Sequence, residues 1–374
     1  MKQDEPSANQ PEGSGHGLLW VLIGAAVVLT IAHPRAPAAW LALVDWHTIG
    51  ALAGLLAIMQ AVEQSGVLQS VARRLLARVT DLRTLALALV LGAALLSALV
   101  TNDVSLFLLV PLTRVLATQA RLPLAELVVL EALAVNAGSA LTPIGNPQNL
   151  YLWHRSGLGF GAFVVMMLPT VAVMLGWLLA LVVVWIPRTQ IELATDAAIG
   201  ERRPRLLAAS ALLFLGFVIA LDRDWLWPAL GVTLATLLLV EWRVLRKTDW
   251  TLLVIIALMF VDLRQLADLP IVARAIESMP IEHGWRAYLA AVATSQVISN
   301  VPAAILLDGY VHDLPALAAG VSVGGFGCVI GSLANLIALR LAKLPKGLRA
   351  FHRVSVPFLL VVGASVCVLQ VLRS

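Results

Sequence analysis

The sequence predicts an all-α polytopic membrane protein made of two inverted-topology repeats, each with a re-entrant hairpin and an interrupted helix. Three observations predict this. Apolar residues make up 60% of the 374, charged residues only 13%, and mean hydropathy is +0.90; a soluble domain carries about 25% charged residues. Two polar motifs interrupt apolar stretches, and each occurs twice. Val100-Thr101-Asn102-Asp103 is echoed by Ile298-Ser299-Asn300-Val301, and Ile144-Gly145-Asn146-Pro147-Gln148-Asn149-Leu150 by Ile330-Gly331-Ser332-Leu333-Ala334-Asn335-Leu336. Finally, the basic residues divide unevenly between the two sides that the spans define.

A polar lead, 1–16, is expected to be disordered. The apolar run from Leu18 to Ala32 lacks a basic segment before it and a small-x-small site after it, so it reads as a first membrane helix rather than a signal peptide. Spans of about 20 apolar residues follow at 47–64, 124–152, 160–186, 206–222, 225–242, 250–266, 314–340 and 354–372, with the first at 17–33. The stretches 84–118 and 286–311 are too long for one helix and too short for two comfortable ones. Each has its Asn motif near the middle, which predicts a hairpin with its tip inside the membrane. The polar segment 187–205 is read as a cytoplasmic linker between a first repeat, 17–186, and a second, 206–374. The halves match in order: Asp45-Trp46 and Asp249-Trp250 each open a helix, and a hairpin, an interrupted helix and a closing helix follow. The first half has one helix fewer. Asp45 and Asp249 are expected to be helix N-caps.

If both hairpins return to the side they left and the N-terminus is cytoplasmic, 19 of the 26 Lys and Arg lie inside. Seven remain outside: Arg35, Arg155, Arg223, Arg264, Arg274, Arg286 and Arg373. That bias obeys the positive-inside rule. It opens the first hairpin to the cytoplasm and the second to the exterior, which makes the halves inverted repeats. The expected location is the bacterial inner membrane.

Paired interruptions at corresponding places point to the binding site of a secondary transporter. A broken helix offers amide donors and a partial positive charge at the start of its second half, which suits anions. Released carbonyls suit Na+. The candidate substrate- and cation-binding residues are Thr101, Asn102, Asp103, Ser139, Thr142, Gly145, Asn146 and Asn149 in the first half. In the second they are Ser299, Asn300, Gly331, Ser332 and Asn335. The alternative for each polar side chain is helix capping or interhelical bonding; the twofold repetition favours a site. Asp103 is the sharpest single residue, because an acid at membrane depth is costly and its counterpart is Val301. Na+ near Asn102, Asp103 and Asn300, or H+, is the expected coupling ion. Glu131 and Asp262 also fall deep in predicted helices, Asp262 with Arg264 or a neighbouring helix as a candidate partner. Glu63 falls near a helix end, where an acid is cheap.

Other classes find no support. A sequence pI of 9.4 comes without a basic run interleaved with aromatics, so nucleic acid is not an expected partner. Cys328 and Cys367 have no CxxC frame, and neither a disulfide nor a metal site is indicated. There is no HExxH, GxSxG or phosphate loop, and no cofactor is expected. The expected partners are the lipid bilayer, a small anion or oxyanion substrate and a second copy of the chain in a homodimer.

The run from Val100 to Asp103 followed by Leu108-Leu109-Val110-Pro111-Leu112, and then Gly138 to Asn149, resembles the ion transporter superfamily. Gly331-Ser332-Leu333-Ala334-Asn335-Leu336 is similar to the second-half motif of its arsenite permeases. The resemblance covers about 17–372. It implies a substrate site between two hairpin tips and an elevator-like motion against the remaining helices. By motif match, Thr101, Asn102, Ser299 and Asn300 would take the cation- and substrate-binding roles. The expected function is secondary active transport of a small inorganic or organic anion, or its conjugate acid, coupled to H+ or Na+. The rivals are arsenite or antimonite efflux, sodium/proton exchange through Asp103 and, outside the class, an intramembrane enzyme or a passive channel.

Overall fold

The computed structural model describes residues 13–32, 34, 37–192, 203–223, 225–271, 274, 278, 280–344 and 346–373. Most of the polar lead and of the linker therefore lies outside the described residues, as do Lys2, Arg35 and Arg202 of the basic residues counted above. Among the described residues there are eighteen helices and no named strand. The first half comprises α1 (Gly13–Ala32), α2 (Pro37–Leu43), α3 (Trp46–Gln64), α4 (Val67–Leu76), α5 (Leu82–Leu99), α6 (Asn102–Ala120), α7 (Leu124–Ser139), α8 (Pro147–Ser156) and α9 (Phe160–Trp185). The second comprises α10 (Pro204–Asp222), α11 (Leu226–Glu241), α12 (Arg243–Lys247), α13 (Trp250–Ala267), α14 (Gly284–Ile298), α15 (Asn300–Leu307), α16 (Leu314–Val323), a 3-10 turn (Val329–Gly331), α17 (Leu333–Leu341) and α18 (Gly347–Val371). Among the described residues, five helices are long and apolar enough to cross a membrane alone: α5, α6, α9, α10 and α18.

Local sequence explains where several helices begin. Asp45 Oδ1 accepts from Thr48 N at 3.0 Å, Asp81 Oδ1 from Thr84 N at 3.0 Å and Asp313 Oδ1 from Ala316 N at 3.0 Å, each satisfying an amide left free in a first turn. The bonds from Thr84 hold the exposed Asp81 carboxyl below the usual carboxylate range. Asp249 departs from expectation. It stands at the start of α13 without a side-chain cap and instead binds Arg340, Nη2 lying 3.1 Å from Oδ2. A guanidinium within reach competes better for a carboxylate than a neutral amide does.

The span expected at 47–64 continues as a bent pair, α4 turning 67° away from α3. Leu68, Ala72 and Leu76 bury one stripe of α4, while Arg73 and Arg74 stay exposed. That amphipathic pattern suits a helix lying along a membrane surface.

Both hairpins double back. At the end of α6, Arg114 pairs with Glu63 at 3.4 Å and Gln119 donates to Gln69 O at 3.3 Å, beside the α4 segment that leads into α5. At the base of the second hairpin, Gly284 N donates to Asp313 Oδ2 at 2.9 Å and His312 N to Glu282 O at 2.9 Å. Length separates the two hairpins. α5 and α6 reach about 27 Å and 28 Å at 1.5 Å per residue, near the thickness of a hydrocarbon core, whereas the eight-residue α15 reaches about 12 Å. The expectation that 84–118 is too short for two full helices is therefore not met; the break occupies only Val100 and Thr101.

The segments 124–152 and 314–340 are both interrupted, at 140–146 and 324–332. The first interrupted helix starts beside the base of hairpin one and ends at Arg155, which binds Asp308 at the base of hairpin two at 2.9 Å. The second starts at the base of hairpin two and ends at Arg340, which shares a cavity with Arg114 and Glu63. The two interrupted helices thus run in opposite directions, consistent with inverted halves. α7 is the central element, buried from Leu127 to Ser139. In a separate cluster, Ala57 and Ala61 of α3 pack with Leu206, Leu237 and Val244, while α1 packs along α13. Where the second half has its additional helix, the described residues of the first half have the seven-residue α2.

Candidate functional site

The first hairpin tip is fastened to the first break. Thr101 is extended (φ −147°), and its hydroxyl caps α6 by accepting from Val104 N at 3.3 Å. Asn102 N donates to Gly145 O at 2.8 Å, and Asn102 Oδ1 accepts from Asp103 N at 2.8 Å. Thr142 Oγ1 donates to Ala98 O at 2.7 Å, satisfying a carbonyl from the last turn of α5. Asp103 is half-buried, and its Oδ1 is buried without a hydrogen-bond partner.

Inside the first break, Asn146 caps α8 through a 2.9 Å bond from Asn149 N, with Pro147 at the first helical position where a missing N–H costs nothing. Its amide donates to Ser139 Oγ at 3.2 Å. Asn149 Nδ2 reaches back to Ala140 O at 3.0 Å and Thr142 O at 3.2 Å, so its donors serve the freed carbonyls. Its Oδ1 stays buried and unpartnered.

The second half repeats this plan with different partners. Asn335, buried in α17, donates to Gly325 O at 2.8 Å, as Asn149 does to its own break. Ser332 Oγ is buried without a partner. Gly145 and Gly331, the glycines of the repeated motif, are equivalent in packing. A Cβ at Gly145 would collide with the backbone of Ser139, and one at Gly331 with Gly324 O. The tips differ. Ser299 has φ 70° and ψ 156°, a backbone region that non-glycine residues occupy at a cost of about 1–3 kcal/mol and that recurs at functional sites. Its hydroxyl makes one long contact, 3.5 Å, to Asn300 Oδ1.

The structure brings Asn102, Thr142, Gly145, Asn146 and Asn149 together around Ser139, and Asn335 joins them through Asn136. Asn136 Nδ2 donates to Asn335 Oδ1 at 2.7 Å. Among the described residues, no hydrogen bond joins Ser299 or Asn300 to the first-half group. Four contributors escape the sequence reading: Asn136, Gln296, His352 and Ser355. Gln296 Nε2 donates to Gly324 O at 2.6 Å and its Oε1 accepts from Cys328 N at 2.8 Å, while Ser355 Oγ accepts from Gly327 N at 2.8 Å. Asn136 carried a signal, a lone amide three residues before Ser139 in an apolar run; Gln296 carried the same one before Ser299.

The other acids divide. Glu131 is fully buried, one oxygen accepting from Thr113 Oγ1 and the other unpartnered. Asp262 is buried with neither oxygen partnered. Of the two partners expected for it, Arg264 or a neighbouring helix, neither is found among the described residues: Arg264 reaches Ala42 O and lies over the Phe260 ring. No cluster of three or more His, Cys, Asp or Glu suited to a metal occurs among the described residues.

Residues 15–323 match the citrate transporter family. The chain is 42% identical over 343 residues to the inner membrane protein YbiR of Escherichia coli, covering 91% of each. It is 31% identical over 330 residues to an uncharacterized transporter of Methanocaldococcus jannaschii, covering 87% of this chain and 89% of that one. The silicon efflux transporter LSI3 of Oryza sativa is 30% identical over 155 residues, 41% of this chain and 32% of its own length. The chain belongs to the citrate transporter family and is a multi-pass membrane transporter rather than an enzyme.

Proposed function

We propose that this transporter is a secondary active carrier of a small inorganic or organic anion, or its conjugate acid, coupled to H+ or Na+, in the inner membrane with its N-terminus in the cytoplasm. One observation carries the reading: the first hairpin tip is hydrogen-bonded to the first break, Asn102 N to Gly145 O, and that break is linked through Asn136 to Asn335 beside the second. The first turns of α6 and α8 thereby lie beside one another, where amide donors and helix dipoles favour negative charge. The unpartnered oxygen of Asp103 is suited to a proton or Na+, and that of Asn149 to Na+. An inner-membrane relative supports the location. The ion pairs Glu63–Arg114, Asp249–Arg340 and Asp308–Arg155 each join residues that the positive-inside reading puts on one side, which supports the topology.

The names of the relatives leave the substrate class broad, since the family is described by citrate and one relative by silicon. The latter favours, as a second reading, efflux of a neutral oxyacid such as arsenite or antimonite in its protonated form. Thermal unfolding of the purified protein across a panel of carboxylates and oxyanions, with and without Na+, tests both. A ligand bound only by the folded state at about 100 times its dissociation constant adds about 2.7 kcal/mol of stability. No shift with any carboxylate and a shift with arsenite alone would narrow the first reading to the second; no shift with any member of the panel would count against both.

A further inference from the structure

The second break is held differently from the first. Three consecutive amides, at Gly327, Cys328 and Val329, each donate to a side chain: Ser355 Oγ at 2.8 Å, Gln296 Oε1 at 2.8 Å and His352 Nε2 at 3.0 Å. In the first break the amides of Leu141 and Gly145 donate to backbone carbonyls instead. Of the three acceptors, only His352 can lose its acceptor role by binding a proton. Its other ring nitrogen, Nδ1, lies 2.8 Å from Leu348 O. A carbonyl can only accept and an amide N–H can only donate, so the two partners together fix the ring: Nδ1 carries the hydrogen and Nε2 offers its lone pair.

We propose that His352 is a proton-binding site that controls the second break: the neutral ring holds Val329 in the turn, and protonation at Nε2 sets N–H against N–H and releases it. The proton comes from water and is lost to it again; no other bond changes. His352 lies in the second turn of α18 and is half-exposed between Arg349 and the exposed Arg353, so water reaches it without passing the core. The ionisable groups on elements packed against α18 are Glu126 and Glu131 on α7, Arg286 and Tyr288 on α14, the latter donating to Gly363 O at 3.0 Å, and Cys328 next to the turn; α9 and α16 bring none, and Lys346 precedes the helix. Among the described residues none of these binds the ring. The turn Val329–Gly331 leads directly into Ser332 and Asn335, so its release alters the second half of the candidate site. The consequence for ion coupling rests on the transporter reading above; the proton-linked release does not.

Hydrogen–deuterium exchange of the full-length protein in detergent, followed over 324–335 at pH 7.5 and 5.5 and corrected for intrinsic rates, tests the proposal. The wild type should gain roughly two- to tenfold in corrected exchange at the lower pH, the range expected for loss of one hydrogen bond. His352→Gln supplies an acceptor oxygen that does not titrate, so the segment should stay protected at both values. His352→Ala should be open at both. A His352→Gln protein with the wild-type pH response, or a wild type with none, overturns the proposal. These outcomes do not depend on finding a transported substrate, so failure of the anion panel and failure of this inference are distinguishable.

Discussion

Asn136 Nδ2 lies 2.7 Å from Asn335 Oδ1 and 3.0 Å from Ala132 O, so a single buried amide ties the interrupted helix of the first half to that of the second. Asn335 in turn holds Gly325 O. Removing either side chain strands its buried partner, and an unsatisfied buried polar group costs about 1–3 kcal/mol. Asn136→Ala and Asn335→Ala should each lower the melting temperature, and the double variant should cost less than the sum of the two. Thermal unfolding of the three proteins gives the coupling, expected between about 0.5 and 3 kcal/mol. Additive losses would mean that the two breaks are independent.

The hairpin-tip asparagines should behave in the opposite way. Asn102 contributes its backbone N–H to Gly145 O, a bond that survives truncation, and the side-chain bond that is lost is a local one from the adjacent Asp103 N. Among the described residues the Asn300 side chain makes one hydrogen bond, the long one from Ser299. Asn102→Ala and Asn300→Ala should therefore express and melt nearly as the wild type does, yet abolish flux in proteoliposomes loaded with whichever anion stabilises the protein. Interhelical hydrogen bonds in membranes average about 0.6 kcal/mol, so a purely structural role predicts mild loss of both. Near-normal flux in both variants would remove them from the site.

The repeated motifs made the hairpins and the two breaks legible, because helix interruption is written in residues three or four apart; capping by Thr101 and Asn146 stood only as the alternative to a binding role. The partners of the second break were not legible. Gln296 lies 32 residues from Cys328, and His352 lies 23 from Val329; only the packing of α14 and α18 around the turn brings them within reach. Asp249 misled for the same reason, since Arg340, 91 residues on, takes the carboxylate from its own helix. The bend after Gln64 went unseen because a ten-residue amphipathic helix is shorter than any span criterion.

Ser299 stores strain that its counterpart Thr101 does not. Glycine adopts φ 70° freely, so Ser299→Gly should raise stability by about 1 kcal/mol after its greater unfolded-state entropy is allowed for. Ser299→Ala keeps the strain and should not. If the hydroxyl also binds substrate or cation, both variants should lose ligand-induced stabilisation. A Ser299→Gly protein that melts at or below the wild type would show that the tip is not strained.

The doubling back of hairpin one gives a labelling prediction. In a background lacking Cys328 and Cys367, single cysteines at the exposed Arg78 and Arg121 should both react with an impermeant maleimide only from the cytoplasm. A cysteine at Gly309, where a Cβ meets nothing within 4 Å, should react only from outside. Labelling of positions 78 and 121 from opposite faces would contradict the hairpin; labelling of 78 and 309 from one face would contradict the inversion.

Asp103 provides the test of coupling. It is the acid at a hairpin tip, its Oδ1 has no partner, and the nearest cation along its helix, Arg114, is engaged with Glu63. A carboxylate left charged and alone in such a place is costly, so it should take up H+ or Na+ in one step of the cycle. Asp103→Asn keeps the shape, and the bond from its own N–H to Asn102 Oδ1 is unaffected. Substrate binding, read by thermal shift, and exchange of substrate for substrate should therefore persist. Gradient-driven accumulation or extrusion should be lost, together with its dependence on pH or Na+. An Asn variant that moves solute uphill with wild-type ion dependence would reduce Asp103 to a first-turn acid favoured by the dipole of α6, and the coupling ion would then be sought on the carbonyls of the two breaks.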